Sequence, residues 1–156
     1  MKNRTCLNIL LALLASLGLG ALGGGFVLMI SPDGELMGMP LSVLKPSPFT
    51  SFLIPGAILF TVLGIGPLLI IGALIKKPAC TTAEMINCFK DMHWSWTFTI
   101  YMAFALMIWI QLEMVFIQAV HWLHTCYIFL AIIMVFVALL PQVRHLYQKK
   151  PVIKKG

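Results

Sequence analysis

Four stretches of the chain are almost wholly apolar, over residues 6–30, 49–75, 94–120 and 123–143. Each is long enough to cross a bilayer, whose hydrocarbon core of about 30 Å needs about 20 apolar residues in an α-helix. None shows the period-two alternation of a barrel strand. Charged residues are 10% of the chain and hydrophobic ones 60%, against about 25% charged in a soluble domain. A water-soluble core of this length cannot hide that much apolar surface, and in lipid a helix satisfies its own backbone. The sequence therefore predicts an all-α integral membrane protein with a single domain, a four-transmembrane-helix bundle. Its links are a loop over 31–48, a loop over 76–93 and a basic tail over 144–156. The first run stays apolar through Ile30, longer than the core of a signal peptide, and is expected to remain as a helix.

The basic residues sort by side. Lys2, Arg4, Lys76, Lys77, Lys90, Arg144, Lys149, Lys150, Lys154 and Lys155 share one side of such a bundle, and Lys45 stands alone on the other. The positive-inside rule then places both termini of this multi-pass protein in the cytoplasm. The net charge of +6 sits at the ends of apolar runs, so nucleic acid is not an expected partner. The lysines of the tail favour anionic lipid. Cys6, Cys80 and Cys88 fall on the reducing side and Cys126 has no outer partner, so no disulfide is expected.

Packing signals lie in the first two runs. Gly18-Leu19-Gly20-Ala21-Leu22-Gly23 has the letters of a dinucleotide loop, but no strand precedes it and it lies inside a span. The row Asn8, Ala12, Ser16, Gly20 and Gly24 predicts a close helix contact. Gly64-Ile65-Gly66-Pro67 predicts a kink, because Pro67 has no donor for the residue-63 carbonyl. In the 76–93 loop, Thr81-Thr82-Ala83-Glu84 reads as a capping box. Met85, Cys88, Phe89 and Met92 extend it as a short amphipathic helix. Trp94 and Trp96 are expected at the inner interface and Trp122 at the outer one. The apolar Met37–Leu44 segment, between the Ser31-Pro32-Asp33-Gly34 turn and Pro46/Pro48, is expected either to lie in the outer interface or to cap the bundle.

Glu113 is the one charged side chain inside an apolar run. In hydrocarbon it must be neutral, paired or in a water-filled cavity. Gln111 and Gln118 share another face of the same helix, which predicts packing on two sides through interhelical hydrogen bonds. His121 and His124 bracket the turn that follows, and with Glu113 they offer donors that suit zinc or iron. Lys45 is the basic residue placed to pair with Glu113. Cys80, Cys88 and His93 match no common zinc spacing. No Ser-His-Asp set, no phosphate loop and no pair of carboxylates on one span is present, and no cofactor is expected. These residues predict a non-catalytic membrane subunit or binder of a lipophilic ligand near the outer leaflet. Two rivals are a homodimeric proton- or ion-coupled transporter using Glu113, and a redox or metal protein using His121 and His124. The partners expected are membrane lipid and either further copies of the chain or a larger membrane complex.

Two stretches carry a resemblance. Pro32-Asp33-Gly34 followed by Gly38-Met39-Pro40-Leu41-Ser42-Val43-Leu44, Ser47-Pro48-Phe49 and Ile54-Pro55-Gly56 resembles the first outer loop of a group of small bacterial four-span proteins. Ile108-Trp109-Ile110-Gln111 and the His121-Trp122-Leu123 turn are similar to the third span of the same group. The resemblance implies a bacterial inner-membrane protein with four spans, and no activity. Size and span count are also similar to the DoxX group, none of whose motifs is present.

Overall fold

The computed structural model describes residues 2–149. Lys150, Lys154 and Lys155 of the expected basic tail lie outside the described residues. Four helices are long and apolar enough to cross a membrane: Asn3–Ile30, Leu53–Lys76, Trp94–Ile117 and Trp122–Leu139. They are called the first to fourth spans below, and the chain is an all-helical, multi-pass membrane protein.

The third and fourth spans end short of the apolar runs read in the sequence. The third span stops at Ile117 because Gln118 takes a left-handed conformation, φ 51°, which ends the helix. The fourth stops at Leu139, since Leu140 is extended at ψ 136°. The residue before a proline is disfavoured in helical geometry, and Pro141 opens a separate short helix, Pro141–Tyr147. Proline suits a first turn, where its missing N–H is not needed.

The first span lies against the second, the fourth and the Pro141–Tyr147 helix, while the third and fourth form a hairpin. One continuous core joins Leu10, Leu14 and Leu17 to Leu63 and Leu74, Trp96 and Leu106, and Ala131 and Met134. The first and second spans touch backbone to backbone. A Cβ added at Gly25 would stand 2.6 Å from Phe60 N and 2.8 Å from Gly56 O. One added at Gly18 would stand 3.1 Å from Gly64 O, and one at Gly64 2.9 Å from Leu22 Cδ2.

The close approach therefore runs through Gly18 and Gly25, one face round from the row read in the sequence. Ser16 is exposed and its hydroxyl donates to the Ala12 carbonyl at 2.9 Å. Gly24 faces Leu59 at 3.6 Å, and Gly20 leaves room for the Tyr127 hydroxyl of the fourth span, 2.7 Å from where its Cβ would be. The irregularity expected at Gly64–Pro67 takes the form of a π-helical stretch, Leu59–Ile65. It leads into Gly66, whose N–H bonds the Thr61 carbonyl, with Pro67 buried in the turn that follows. Such wide turns absorb a local mismatch without breaking the helix.

One end of the bundle carries most of the basic residues and is tied by polar contacts. Asn87 is buried and donates to Met92 O at 2.9 Å and Glu84 Oε2 at 3.1 Å. Its Oδ1 accepts from Thr97 Oγ1 at 2.6 Å. Lys149 Nζ donates to Glu84 Oε2 at 2.6 Å, and Lys149 N donates to Asp91 O at 2.8 Å. Met92 and Gln148 form an antiparallel bridge. Burial pushes the Glu84 carboxyl up, but the hydrogen bonds from Lys149 and Asn87 outweigh it and hold the group below its ordinary value. Tyr147 is buried, its hydroxyl donates to Leu74 O at 2.8 Å, and burial pushes that hydroxyl up to about 12.

This network replaces the amphipathic helix expected over Met85–Met92. The helix covers Thr81–Met85 only, with Cys80 at its N-cap and no side-chain cap. Glu84 is turned to Asn87 and Lys149 instead of back to its own helix start. Trp96 is also not an interface anchor. It is 1% exposed and its Nε1 donates to Ala138 O at 2.8 Å. Trp94 keeps a surface position and donates to Pro78 O at 2.8 Å, and Trp122 is exposed.

Candidate functional site

At the other end, the loop between the first and second spans folds back over the bundle. Its start is a tight turn. The Ser31 hydroxyl donates to the Asp33 carboxylate, which also accepts the Glu35 N–H at 3.1 Å. The Ser31 hydroxyl and then the Glu35 N–H hold the Asp33 carboxyl below its ordinary value. Gly34 adopts φ 81°, a left-handed conformation that glycine takes without strain. Phe52 N donates to Pro32 O at 2.9 Å and closes the base of the loop. Leu44 and Phe52 then pack with Leu28 in a second small core, and Phe49 meets Phe116 edge-on with centroids 6.0 Å apart. The apolar segment 37–44 thus roofs the bundle.

Beneath the roof lies a cavity of about 230 Å³, lined by Leu28, Leu44, Phe49, Phe52, Ile58, Trp109, Leu112 and Glu113 among others. The lining is hydrocarbon apart from the Glu113 carboxyl and the Trp109 indole. A second cavity, of about 170 Å³, lies toward the first and fourth spans and includes Gly20, Gly24, Leu106, His124 and Tyr127. Trp109 and Glu113, four residues and so about one turn apart, line both. Trp109 Nε1 is buried without a hydrogen-bond partner, a state that costs about 1–3 kcal/mol unless something fills it.

His124 reaches Glu113 from the fourth span. It is buried, and its Nε2 lies 3.8 Å from Glu113 Oε2, within ion-pair range and beyond a direct hydrogen bond. Its other nitrogen, Nδ1, accepts the His121 N–H at 3.1 Å. With Nδ1 an acceptor, the proton of the neutral ring sits on Nε2 and faces the carboxyl. His121 caps the fourth span, with its ring accepting from Leu123 N. The two histidines are thus shaped by the start of a helix. Among the described residues no three His, Cys, Asp or Glu side chains converge as a metal site.

Of the residues read as a site in the sequence, the structure brings Glu113 and His124 together. His121 adjoins His124 but is exposed, and Lys45 is exposed and outside the cavity lining. Gln111 and Gln118 are exposed too, so the face that carries them is not packed within the chain, contrary to the two-sided burial expected. The sequence reading passed over Trp109 as a site residue. Its signal was the spacing of four from Glu113, which puts both on one helix face.

No protein-family model, no curated protein and no solved structure matches the chain. The likeness seen in the loop and third span goes with the four-span architecture and identifies no family.

Proposed function

We propose that the protein is a non-catalytic binder of a lipophilic molecule, seated under the 31–52 loop with its polar end at Trp109 and Glu113. The observation that carries this reading is the buried, unpartnered indole N–H beside a carboxyl in a cavity otherwise made of hydrocarbon. Ligand sites have this composition, an apolar lining with a few convergent polar groups. The ligand's polar end supplies an acceptor to Trp109 Nε1, such as a carbonyl or hydroxyl oxygen. Its apolar part replaces lipid against Leu44, Phe52 and Ile58.

The test is quenching of tryptophan fluorescence by brominated fatty alcohols in the purified full chain. Saturable quenching is expected in the wild type. Trp109→Phe keeps an aromatic ring and removes the donor, and about tenfold weaker binding of the same alcohols is expected, read by competition with a fluorescent fatty alcohol. Glu113→Gln should keep the fold and weaken binding in the same assay. Non-saturable quenching in the wild type, or unchanged affinity in both variants, removes the reading.

A second reading draws on Glu113 lining both cavities opposite His124. A proton-coupled transporter would use this carboxyl as its coupling acid. Uptake into liposomes driven by a pH gradient, present in wild type and lost in Glu113→Gln, distinguishes it from simple binding.

We further propose that the basic end faces the cytoplasm of a bacterial cell and the roofed cavity lies in the outer leaflet, as the basic residues imply. A membrane-impermeant maleimide added to intact cells should spare Cys88, which is exposed at the basic end, and should label a cysteine placed at the exposed Ser42 of the roof. Equal labelling of the two reverses the orientation or removes it.

A further inference from the structure

The third span presents a second face away from the cavity. Phe104, Ile108 and Val115 are 53%, 60% and 55% exposed on it, and Gln111 is exposed between the last two. Their spacing of four, three and four is that of a helix-packing seam. The seam borders an open groove shared with Ile128 of the fourth span. A stripe of this kind beside a groove is common on lipid-facing helices. The carboxamide within it is not.

Gln111 lies about 8 Å from the midpoint of its span at 1.5 Å per residue, inside the hydrocarbon half-thickness of about 15 Å. Helical side chains lean toward their own N-terminus. From this position that is toward the bilayer centre, so the carboxamide does not reach the nearer interface. The exposed hydroxyls of Ser16 and Thr61 bond carbonyls of their own helices at 2.9 Å and 2.7 Å. Gln111 has no such bond within the chain. An amide facing lipid without partners is costly, and a partner must come from outside.

We infer that a second copy of this chain docks on the third span, with the two Gln111 carboxamides paired across a two-fold axis along the membrane normal. That axis makes the two third spans parallel and brings each residue to the depth of its own copy. A carboxamide carries a donor and an acceptor, so two of them satisfy each other through two reciprocal N–H···O bonds. No other side chain is required, and the contact closes on itself as a two-fold interface must. Ile108 and Val115 flank the pair one turn away on either side. Leu112 borders both the groove and the cavity under the loop, but none of Phe104, Ile108, Gln111 and Val115 lines that cavity, so the dimer does not depend on the ligand reading.

The experiment uses full-length chain with its four native cysteines replaced by serine, reconstituted in liposomes at several protein-to-lipid ratios. A cysteine at Ile108 should form a disulfide dimer on mild oxidation, and one at the exposed Leu69 of the second span should not. Single-molecule photobleaching should show two-step traces that fall with dilution. Gln111→Leu should raise the dissociation constant by a factor of roughly 5 to 30, and Gln111→Asn, which keeps the carboxamide, should recover most of that loss. Gln111 is exposed, so neither variant disturbs the bundle, which a thermal melt of each confirms. One-step traces at all ratios, equal oxidation at positions 108 and 69, or an unchanged dissociation constant in Gln111→Leu overturns the inference.

Discussion

Gly25→Leu is expected to lower the melting temperature in detergent by roughly 5–10 °C or to abolish folded protein altogether. The first and second spans meet there through backbone, so the obstacle to a new side chain is Phe60 N at 2.6 Å and Gly56 O at 2.8 Å. Backbone cannot swing aside as a side-chain tip can. The two spans must separate, and the packing around Leu63 in the main core and Leu28 in the small one loosens with them. Overpacking of a tight core costs about 1–3 kcal/mol or more. Gly23→Leu is the control, because nothing lies within 4 Å of the Cβ it adds. Melting curves of the two variants side by side check the claim, and a Gly25 variant as stable as the Gly23 one would show that the spans are not in contact.

Trp96→Ala is the other large effect, with an expected loss of about 3–5 kcal/mol for a buried aromatic. The side chain is 1% exposed and belongs to the core that joins the spans. Its removal also strands the Ala138 carbonyl, which accepts its Nε1 at 2.8 Å near the break of the fourth helix at Leu140. Trp96→Phe keeps most of the packing and loses the hydrogen bond, so about 1–2 kcal/mol is expected. Trp94→Ala, at the surface two residues away, should cost less than either alanine or phenylalanine at 96. Reversible unfolding in mixed detergent gives the order. Equal losses at 94 and 96 would return Trp96 to the role of an interface anchor.

The Trp94 and Trp96 pair shows how far the sequence was legible. The four spans could be read from length and hydropathy alone, whereas the apolar Met37–Leu44 segment left open whether it lies in the interface or over the bundle. Which side of each span turns inward could not be read. A helix that is apolar all round has no polar face to mark its outside, so Gly24 and Gly25 are equivalent in the pattern although only Gly25 meets backbone. The break at Leu140 did carry a signal, because Pro141 follows it and the residue before a proline is disfavoured in helical geometry; the run read through to Val143 passed over it. Glu113 stood out as a lone charge, but its approach to His124 depends on how the hairpin closes after Gln118, which takes a left-handed conformation that no spacing rule demands. Trp109 carried a signal only once Glu113 had been placed.

The tie between Glu84 and Lys149 sets an order on how the protein is made. The two residues are 65 positions apart, so at a synthesis rate of about 5–20 residues per second the carboxylate waits on the order of 3 to 13 s for its partner. During that interval the third and fourth spans are translated and can enter the bilayer, while the 76–93 loop has no strap across it. Met92 likewise waits for Gln148. The basic end is thus finished after the spans it joins.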